Sequence, residues 1–431
     1  MYLFVAMKPN NLNIPVSQYK RIVILGGGFA GLNLAKKLIN THYQVVLLDR
    51  QNFHQFQPLF YQVAMAGLEP SAIAFPIRKM FRKSTNVFVR QAEIHQVNRE
   101  NKSVKTDRGV IEYDYLVVAL GAITNFFGNE EIAEKSYSLK SLGESLLIRN
   151  RMFEDFEDSL FVENYEKRQG LIDFVIVGGG PTGVEMAGAL AEMKRYIIPK
   201  DFAELDPGEI DIYLVQSGEN VLPAMSAKSQ RKAKQYLEDM GVQLILQDRV
   251  TGFDGLNVQL KSGRTLKTEK LIWAAGITCP QIQGLETDSN NRGRLEVNRH
   301  CQWTEDEDVY AIGDVALMKS DKYPYGHPQV AQTALQMANH VAKYLKNKDK
   351  NTTVKEFVYK DRGSLATIGR NKAVADFPSF SMGGFLAWMI WLWVHLFSLI
   401  GTRNKVIVMI NWMWSYITYD TALRLIIKQK K

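Results

Sequence analysis

The sequence predicts an α/β protein with two Rossmann-like dinucleotide-binding domains and a C-terminal pair of amphipathic helices. Two glycine-rich segments, each between an apolar run and a helical pattern, predict the two domains, and a tryptophan-rich apolar stretch near the C-terminus predicts the helices. The 431 residues suit two or three domains of roughly 150 residues each. Hydrophobic residues make up 46% and charged residues 23%, which excludes a disordered or fibrous chain.

The first glycine-rich segment follows a short β-branched run, residues 21–25 (RIVIL), and precedes the helical pattern LNLAKKLIN. Gly26, Gly28 and Gly31 have the GxGxxG spacing, which permits a tight turn, close approach of a pyrophosphate and helix–strand packing. The phosphates would meet the positive N-terminus of that helix. A second strand pattern ends in Asp49, 18 residues after Gly31, where a carboxylate can accept both hydroxyls of a ribose.

The same order recurs 152 residues later. Residues 173–177 (DFVIV) lead into Gly178, Gly180 and Gly183, and a helical pattern follows. Because a hydride donor needs an acceptor held beside it, the simplest interpretation is one flavin and one nicotinamide dinucleotide. The alternative is a duplication in which one site has lost its ligand.

Three further apolar runs end in small residues: 113–121 (YDYLVVALG), 270–276 (KLIWAAG) and 308–314 (DVYAIGD). The first two would bring the chain back across a nucleotide site with glycine at the close approach. The third ends in Gly313 and Asp314, and this carboxylate could hydrogen-bond the ribityl or phosphate side of a flavin.

This order resembles the flavoproteins with two dinucleotide-binding domains. The resemblance implies an FAD-binding domain in two parts, 18–135 and 290–350, an inserted NAD(P)H-binding domain, 165–285, and a C-terminal domain, 355–431. It implies FAD contacts at Gly26, Gly28, Ala30, Gly31, Asp49, Arg50, Ala119, Gly121, Gly313 and Asp314. It implies NAD contacts at Gly178, Gly180, Pro181, Thr182, Gly183, Gln216, Ala275 and Gly276.

The two cysteines, Cys279 and Cys301, are 22 residues apart and form no CxxC or CxxxxC motif. Dithiol reductase chemistry needs a close pair beside the flavin, so that chemistry is excluded. We expect both thiols to pack structurally. A sulfide:quinone oxidoreductase, which also relies on cysteines, stays open as an alternative. His54 and His327 are isolated and lack metal-ligand spacing, so no metal is expected.

Several segments resemble the type II NADH:quinone oxidoreductases: residues 52–64 (NFHQFQPLFYQVA), the ALGAITNFFG run, residues 331–336 (AQTALQ) and the tryptophan-rich C-terminus. The resemblance implies that Gln332 and Gln336 line a quinone site and that Glu185 is catalytic, as a proton relay. Without this resemblance, the two glutamines would be interpreted as a solvated helix face, and Glu185 would be interpreted as a carboxylate that the helix dipole favours. Homodimers are common in the resembling family.

The C-terminal 51 residues carry six basic side chains and one acid, Asp420, so +5 of the net charge of +8 lies there, with five of the seven tryptophans. Two apolar stretches, 384–400 and 406–419, are short for a span of about 30 Å, and Asn411 interrupts the second. We expect a monotopic anchor, residues 384–428, on the membrane surface, with no nucleic-acid binding. A spanning hairpin and a buried dimer-forming pair are the alternatives.

The N-terminus has no basic region and no cleavage site, so no signal peptide is expected, whether translation starts at Met1 or at Met7. The expected location is therefore the cytoplasmic side of the cell inner membrane. The expected function is a respiratory flavoenzyme that oxidises NADH and reduces a membrane quinone through FAD by hydride transfer, without proton pumping. An apoptosis-factor-like NADH-binding regulatory flavoprotein is the alternative from another class.

Gln216 stands at the end of a predicted strand where NADH-selective relatives carry an acid. A carboxylate there holds the 2′-hydroxyl and repels a 2′-phosphate, and an amide loses that repulsion. We therefore expect NADH as the main donor, with weak discrimination against NADPH.

Overall fold

The computed structural model describes residues 12–348, 352–420 and 423–427. The chain forms two units. The first contains the chain up to His54, Phe75–Ile123 and Ile277–Lys360, and the second contains Gln55–Ala74, Thr124–Gly276 and Asp361–Lys431. The choice between Met1 and Met7 as the start lies outside the described residues.

The first unit is built on a six-stranded sheet. Its strands, from edge to edge, are Gln302–Trp303, Asp306–Ala311, Tyr115–Val118, Arg21–Leu25, Gln44–Asp49 and Val87–Gln91. All neighbours are parallel except the edge pair of Gln302–Trp303 with Asp306–Ala311. The central strands are apolar and buried, as expected for a parallel sheet covered on both faces.

The second unit is built on a five-stranded parallel sheet. In spatial order its strands are Tyr137–Ser138, Lys270–Trp273, Phe174–Val177, Ile212–Gln216 and Gln243–Leu246. The two sheets share one arrangement of strands around the glycine segment. The strand before each glycine segment lies between the strand that ends in Asp49 or Gln216 and a returning strand, Tyr115–Val118 or Lys270–Trp273.

Smaller sheets complete both units. The first unit adds an antiparallel sheet and a parallel strand pair, formed by Ile94–Asn98, Ser103–Thr106 and Gly109–Glu112, and by Leu295–Glu296 and Ala316–Leu317. The second unit adds two antiparallel sheets, formed by Val250–Phe253, Asn257–Leu260 and Thr265–Lys267, and by Ser364–Gly369, Lys372–Asp376 and Ser381–Gly383. Four short strands lie where the chain passes between units: Phe53–Gln55, Ala74–Pro76, Ile123–Thr124 and Ile277–Thr278.

The described helices differ greatly in length. Those of the first unit are Phe29–Lys37, Ile77–Phe81 and Ala331–Lys348. Those of the second unit are Phe60–Ala64, Pro70–Ile73, Glu130–Lys135, Leu142–Ser159, Tyr165–Ile172, Pro181–Tyr196, Ile198–Asp201, Ala227–Asp239, Phe385–Ser398 and Thr402–Thr418. A capping box fixes the start of the longest helix of the second unit, since Ser141 accepts from the backbone N–H of Glu144 and the Glu144 carboxylate accepts in return.

The two C-terminal helices differ in detail from the expectation. Thr402–Thr418 runs unbroken through the half-buried Asn411, because an asparagine weakens a helix without removing a backbone hydrogen bond. Asn404, by contrast, is buried and donates to the carbonyl oxygens of Ser71 and Ala74, which attaches this helix to its own unit. Among the described residues, no helix combines the length and the apolar character that crossing a bilayer requires.

Candidate functional site

The first glycine segment forms an open cradle at the start of helix Phe29–Lys37. A Cβ atom on Gly26 would lie 2.5 Å from the Ala119 carbonyl oxygen, and one on Gly31 would lie 1.9 Å from the Gly26 carbonyl oxygen. Packing of the backbone therefore requires glycine at both positions, and Gly26 also has φ +103°. No described atom lies within 4 Å of the Cβ position of Gly28. The helix starts there without a side-chain cap, so its first amides face open space suited to a pyrophosphate.

Asp49 lies directly beside this cradle. One carboxylate oxygen accepts from the Gly27 N–H at 2.5 Å and the other from the Gln51 N–H at 2.6 Å. Burial raises the pKa of Asp49, and these two backbone hydrogen bonds oppose the rise. Each oxygen retains a further lone pair, so the carboxylate can still accept from ribose hydroxyls.

The remaining residues predicted to contact FAD lie in the same unit. Gly121 has φ +71° and no described atom near its Cβ position, while a Cβ on Gly313 would lie 3.3 Å from the side chains of Ala30 and Ala334. The backbone carbonyl of Asp314 accepts from Gln329 Nε2 at 3.0 Å. Arg50 follows Asp49 on the surface.

The second glycine segment reproduces the first in its details. A Cβ on Gly183 would again lie 1.9 Å from the carbonyl oxygen of the first glycine, Gly178, and Gly180 again faces open space. Pro181 occupies the first turn of helix Pro181–Tyr196, which also lacks a side-chain cap, and Thr182 follows it on the exposed side. Two such cradles in one chain fit two dinucleotides.

Gln216 occupies in the second cradle the place of Asp49 in the first. Its Oε1 accepts from the Gly179 N–H at 2.9 Å, as Asp49 accepts from Gly27. The hydrogen bond to the glycine loop needs only an acceptor oxygen, so an amide satisfies it as well as a carboxylate. On the returning strand's side, Ala275 is half-buried, and Gly276, with φ +77°, packs against the Phe127 ring.

Glu185 lies one turn into helix Pro181–Tyr196 and is 9% exposed. Its Oε1 accepts weakly from the Thr367 N–H, at 3.4 Å. Burial raises the pKa of Glu185 to about 8, although the Thr367 N–H and the nearby Trp391 indole oppose the rise. Glu185 is therefore mostly protonated at neutral pH and holds a proton that it can donate.

Glu185 opens onto a cavity of about 160 Å³ within the second unit. The cavity is lined by side chains from the helices that carry Tyr61 and Glu185, from strand Ser364–Gly369 and from the two C-terminal helices, among them Trp388, Trp391, Trp412 and Tyr416. Trp391 is 1% exposed, and its indole lies beside the Glu185 carboxyl group, whose pKa it lowers. An acid and an indole N–H thus face one aromatic-walled space.

Sequence reasoning missed Tyr61, Glu192 and Trp391 as residues of this cavity. Tyr61 lies in the segment that carries the family resemblance, and Glu192 lies seven residues after Glu185 on the same helix. That spacing was a usable signal, because positions i and i+7 share a helix face. The sequence pattern places Trp391 only in an interfacial tryptophan group, since nothing local shows which tryptophan is turned inward.

The two glutamines of the AQTALQ segment lie in the first turns of helix Ala331–Lys348, and both are half-buried. The Gln336 amide exchanges two hydrogen bonds with the backbone of Lys360, from Nε2 to the carbonyl at 2.9 Å and from the Lys360 N–H to Oε1 at 3.0 Å. Gln336 therefore holds the segment that leaves this unit, and only one N–H of its amide remains for a ligand.

Both cysteines of the chain are buried and neither forms a disulfide. Burial raises the pKa of Cys301, and Cys279 Sγ donates to the Asp314 carbonyl oxygen at 3.4 Å. His54 is also buried, and its Nδ1 lies 3.1 Å from the Gly27 carbonyl oxygen, which supports the glycine loop. Within the described part of the chain, no three His, Cys, Asp or Glu side chains are grouped as metal ligands.

Comparison with protein families gives two matches. Residues 20–338 match the pyridine nucleotide-disulphide oxidoreductase family, and residues 362–418 match the NDH2 C-terminal domain. The cavity therefore contains residues from both matched regions.

Comparison with individual proteins agrees. The chain is 34% identical over 414 residues to the type II NADH:quinone oxidoreductase Ndh of Mycobacterium tuberculosis, covering 92% of this chain and 88% of that one. It is 27% identical over 370 residues to the type II NADH:quinone oxidoreductase of Staphylococcus aureus, covering 82% and 89%.

Solved structures share the fold. NDH2 from Plasmodium falciparum in complex with NADH matches with a TM-score of 0.87 at 20% identity, covering 95% of this chain and all of that one. The sulfide:quinone oxidoreductase of Aquifex aeolicus matches with a TM-score of 0.71 at 20% identity, covering 92% and 95%.

The predicted fold class is confirmed, and FAD and NADH, the two dinucleotides predicted from the sequence, are confirmed as the cofactor and its reductant. The relationship predicted from the sequence is confirmed as well: this chain belongs to the pyridine nucleotide-disulphide oxidoreductase family and, within it, to the type II NADH:quinone oxidoreductases.

Proposed function

We propose that this enzyme transfers reducing equivalents from NADH to a membrane quinone at the surface of a membrane, without proton pumping, and that the quinone head group enters the cavity beside Glu185. The observation that carries the proposal is a buried carboxyl group, its pKa raised to about 8 by burial, in an aromatic cavity whose walls include the two C-terminal helices. Aromatic walls suit a flat quinone ring, and the protonated Glu185 carboxyl group beside the Trp391 indole suits its carbonyl oxygen.

The chemistry of the reaction explains the acid. NADH supplies two electrons and one hydrogen as hydride, whereas a quinol carries two hydrogens, so each turnover takes up one further proton. A buried acid with a pKa near 8 supplies that proton at neutral pH better than an ordinary glutamate does. Glu185 is therefore proposed as the proton donor, and this uptake moves no proton across the bilayer.

FAD, when bound, accepts the hydride of NADH and makes its electrons available to the quinone. The part of this chain in that chemistry is placement. The cradle at Gly26, Gly28 and Gly31 and the Asp49 carboxylate are proposed to hold FAD, together with the other predicted contacts in the first unit. The cradle at Gly178, Gly180 and Gly183 is proposed to hold NADH. Gln332 and Gln336 belong to the first unit and do not line the cavity beside Glu185, so the quinone contact that the family resemblance implies for them stays a prediction.

The experiment that tests this function is anaerobic mixing of the detergent-purified flavoprotein with NADH and then with a short-chain quinone, followed by flavin absorbance. We expect bleaching on NADH addition and recovery of the absorbance with quinone. Bleaching that quinone does not reverse would remove the quinone assignment while leaving the two nucleotide sites in place.

The outward faces of the C-terminal helices support the membrane proposal. Their exposed side chains are large and apolar, including Phe385, Leu386, Trp393, Phe397, Ile410, Met413, Trp414 and Ile417. Apolar surface of this extent on short helices with basic flanks favours the bilayer interface. We propose a monotopic anchor over residues 384–428 on the cytoplasmic side of the inner membrane, in a homodimer that would double its contact area.

Removing apolar side chains from this face is expected to weaken membrane binding without unfolding the protein. Phe397 is 64% exposed and Ile417 is 75% exposed, so serine at both positions removes little packing. Full burial of each side chain in the bilayer is worth about 1.5–3 kcal/mol, so binding to anionic vesicles should fall about 100-fold in a flotation assay.

Phe161→Ser is the matched control, since Phe161 is 86% exposed in the same unit but lies outside the two C-terminal helices, and vesicle binding should not change. Wild-type binding by the double variant, or release of the wild-type protein from membranes by high salt alone, would contradict an inserted apolar anchor.

Gln216→Glu is expected to raise the preference for NADH over NADPH at least about tenfold, measured as the ratio of kcat/KM values. The new carboxylate keeps the acceptor for the Gly179 N–H and adds repulsion of a 2′-phosphate. A wild-type preference for NADH of many thousandfold would show that Gln216 does not set the selectivity.

A further inference from the structure

A second acidic side chain, Glu192, lines the same cavity as Glu185. Seven residues separate the two on helix Pro181–Tyr196, so they lie on one face, about 10 Å apart along the axis. Glu185 is buried, whereas Glu192 is half-buried and therefore closer to solvent. The Arg370 N–H donates to Glu192 Oε1 at 2.5 Å and fixes the side chain at this wall.

Tyr61 connects the two carboxyl groups electrostatically. Burial raises the pKa of Tyr61 well above its usual value, and a negative charge on Glu185 or Glu192, when either is ionised, raises it further. The hydroxyl group therefore stays protonated and can accept one proton while it donates another. Its oxygen accepts from Gln62 Nε2 at 2.9 Å, and Gln62 Oε1 accepts from the Trp412 indole at 2.8 Å. These two hydrogen bonds connect the Tyr61 hydroxyl group to the second C-terminal helix.

Charged groups from several described elements surround Glu192. Burial raises its pKa, and the Arg370 backbone N–H and then the cationic side chains of Arg370 and Lys372 oppose the rise. On its own helix, Lys194 is bound to the Ile210 carbonyl and Arg195 lies over the Tyr196 ring. The raised pKa favours the protonated form of Glu192, and the Arg370 N–H holds its side chain at the wall.

We propose that Glu192 is the entry point of a proton path that runs through the Tyr61 hydroxyl to Glu185. This inference rests on the proposed function, in which the cavity binds the quinone. In the overall reaction, NADH, one proton and quinone give NAD⁺ and quinol. The O–H bond of Glu185 breaks as an O–H bond forms on the quinol. The Glu185 carboxylate then takes a proton from Tyr61, Tyr61 takes one from Glu192, and Glu192 takes one from water. The electrons come from NADH alone.

The test uses the full-length flavoprotein in detergent with two acceptors, a short-chain quinone, which must be protonated, and ferricyanide, which needs no proton. Glu192→Gln keeps an acceptor oxygen for the Arg370 N–H but cannot titrate. It should lower kcat with quinone at least tenfold, with little change in KM for quinone, and leave NADH:ferricyanide turnover unchanged. Glu192→Asp should retain most activity. Formate, a small acid, should partly restore kcat in Glu192→Ala, where the truncated side chain leaves room for it.

Glu204→Gln is the control for loss of one negative charge, since Glu204 is exposed in the same unit, and it should behave as wild type. Wild-type quinone turnover in Glu192→Gln, with Glu185→Gln impaired, would overturn the path and leave the proposed function intact. An equal loss with both acceptors, without rescue by formate, would assign Glu192 a structural role and also overturn the path. Wild-type quinone turnover in Glu185→Gln would remove Glu185 as the proton donor and the path with it, whereas a wild-type flavin that quinone does not reoxidise would remove the proposed function itself.

Discussion

Glu185→Gln is expected to lower NADH:quinone turnover by about 10²–10⁴-fold, the usual contribution of a general acid, while NADH:ferricyanide turnover is retained. The glutamine keeps an acceptor for the Thr367 N–H but has no proton to donate. Steady-state kinetics with both acceptors on the same preparation measure this difference. Equal rates with quinone in the variant and the wild type would show that Glu185 is not the donor.

The pH profile gives an independent readout of the same group. Because the pKa of Glu185 is raised to about 8, the donor form predominates at pH 7 and is lost as the pH rises through 8. The kcat with quinone should therefore fall above pH 8 in the wild-type enzyme. The small residual rate of Glu185→Gln should lack this fall, and the rate with ferricyanide should lack it in both proteins.

The same substitution is expected to stabilise the protein. An unfolded glutamate ionises near pH 4.5, whereas folded Glu185 ionises near pH 8, so the folded state binds more protons over this interval and loses relative stability as pH rises through it. At pH 7 the loss approaches about 3 kcal/mol, from 1.36 kcal/mol per pKa unit. Glu185→Gln should therefore unfold at a higher temperature than wild type at pH 7, with the difference shrinking toward pH 5.

Gly28→Ala and Gly180→Ala are expected to separate the two nucleotide sites. No described atom of the chain lies within 4 Å of either Cβ position, and both residues have extended, negative-φ backbone, so alanine fits the protein itself. A loss of binding would thus arise from a clash with the dinucleotide. Overpacking typically costs 1–3 kcal/mol, which corresponds to about 5- to 100-fold weaker binding.

The two variants should fail differently. Gly28→Ala should be purified with reduced flavin content, measured by absorbance after denaturation. Gly180→Ala should retain its flavin and show a KM for NADH raised about 5- to 100-fold with ferricyanide as acceptor. Full flavin content in Gly28→Ala, or an unchanged KM for NADH in Gly180→Ala, would contradict the assignment of that cradle. Gly31→Ala serves as the comparison, because its Cβ would collide with the Gly26 carbonyl and destabilise the fold directly.

Much of the fold could be predicted from local sequence patterns. The strands before both glycine segments, the helices after them and the strands that end in Asp49 and Gln216 all lie where the patterns indicate. These strands and helices can be predicted because the periodicity of apolar residues, the glycine spacing and the turn residues that specify them all lie within a few residues of each other. The repeated cradle geometry follows for the same reason, since steric contact within a six-residue segment requires the glycines.

The predicted roles of the glutamines illustrate the limit of such patterns. A spacing of i and i+4 correctly places Gln332 and Gln336 near each other on one helix, but it does not show that the Gln336 amide is bound to the Lys360 backbone. The partner lies 24 residues away in a segment without a recognisable motif. A hydrogen bond between residues so far apart in sequence depends on where the tertiary structure places the second segment, and local sequence propensity does not encode that.

By itself, then, the sequence determined the two nucleotide folds, their order and the short, tryptophan-rich apolar helices of the C-terminus, because each depends on short-range periodicity and composition. Only the tertiary structure decided which acid is buried, which tryptophan faces inward and where the cavity lies. Glu185 meets Thr367 across 182 positions, and Gln62 meets Trp412 across 350. Contacts between such distant segments set the burial of each group, and burial is the largest cause of the raised pKa values on which the proposed proton chemistry depends.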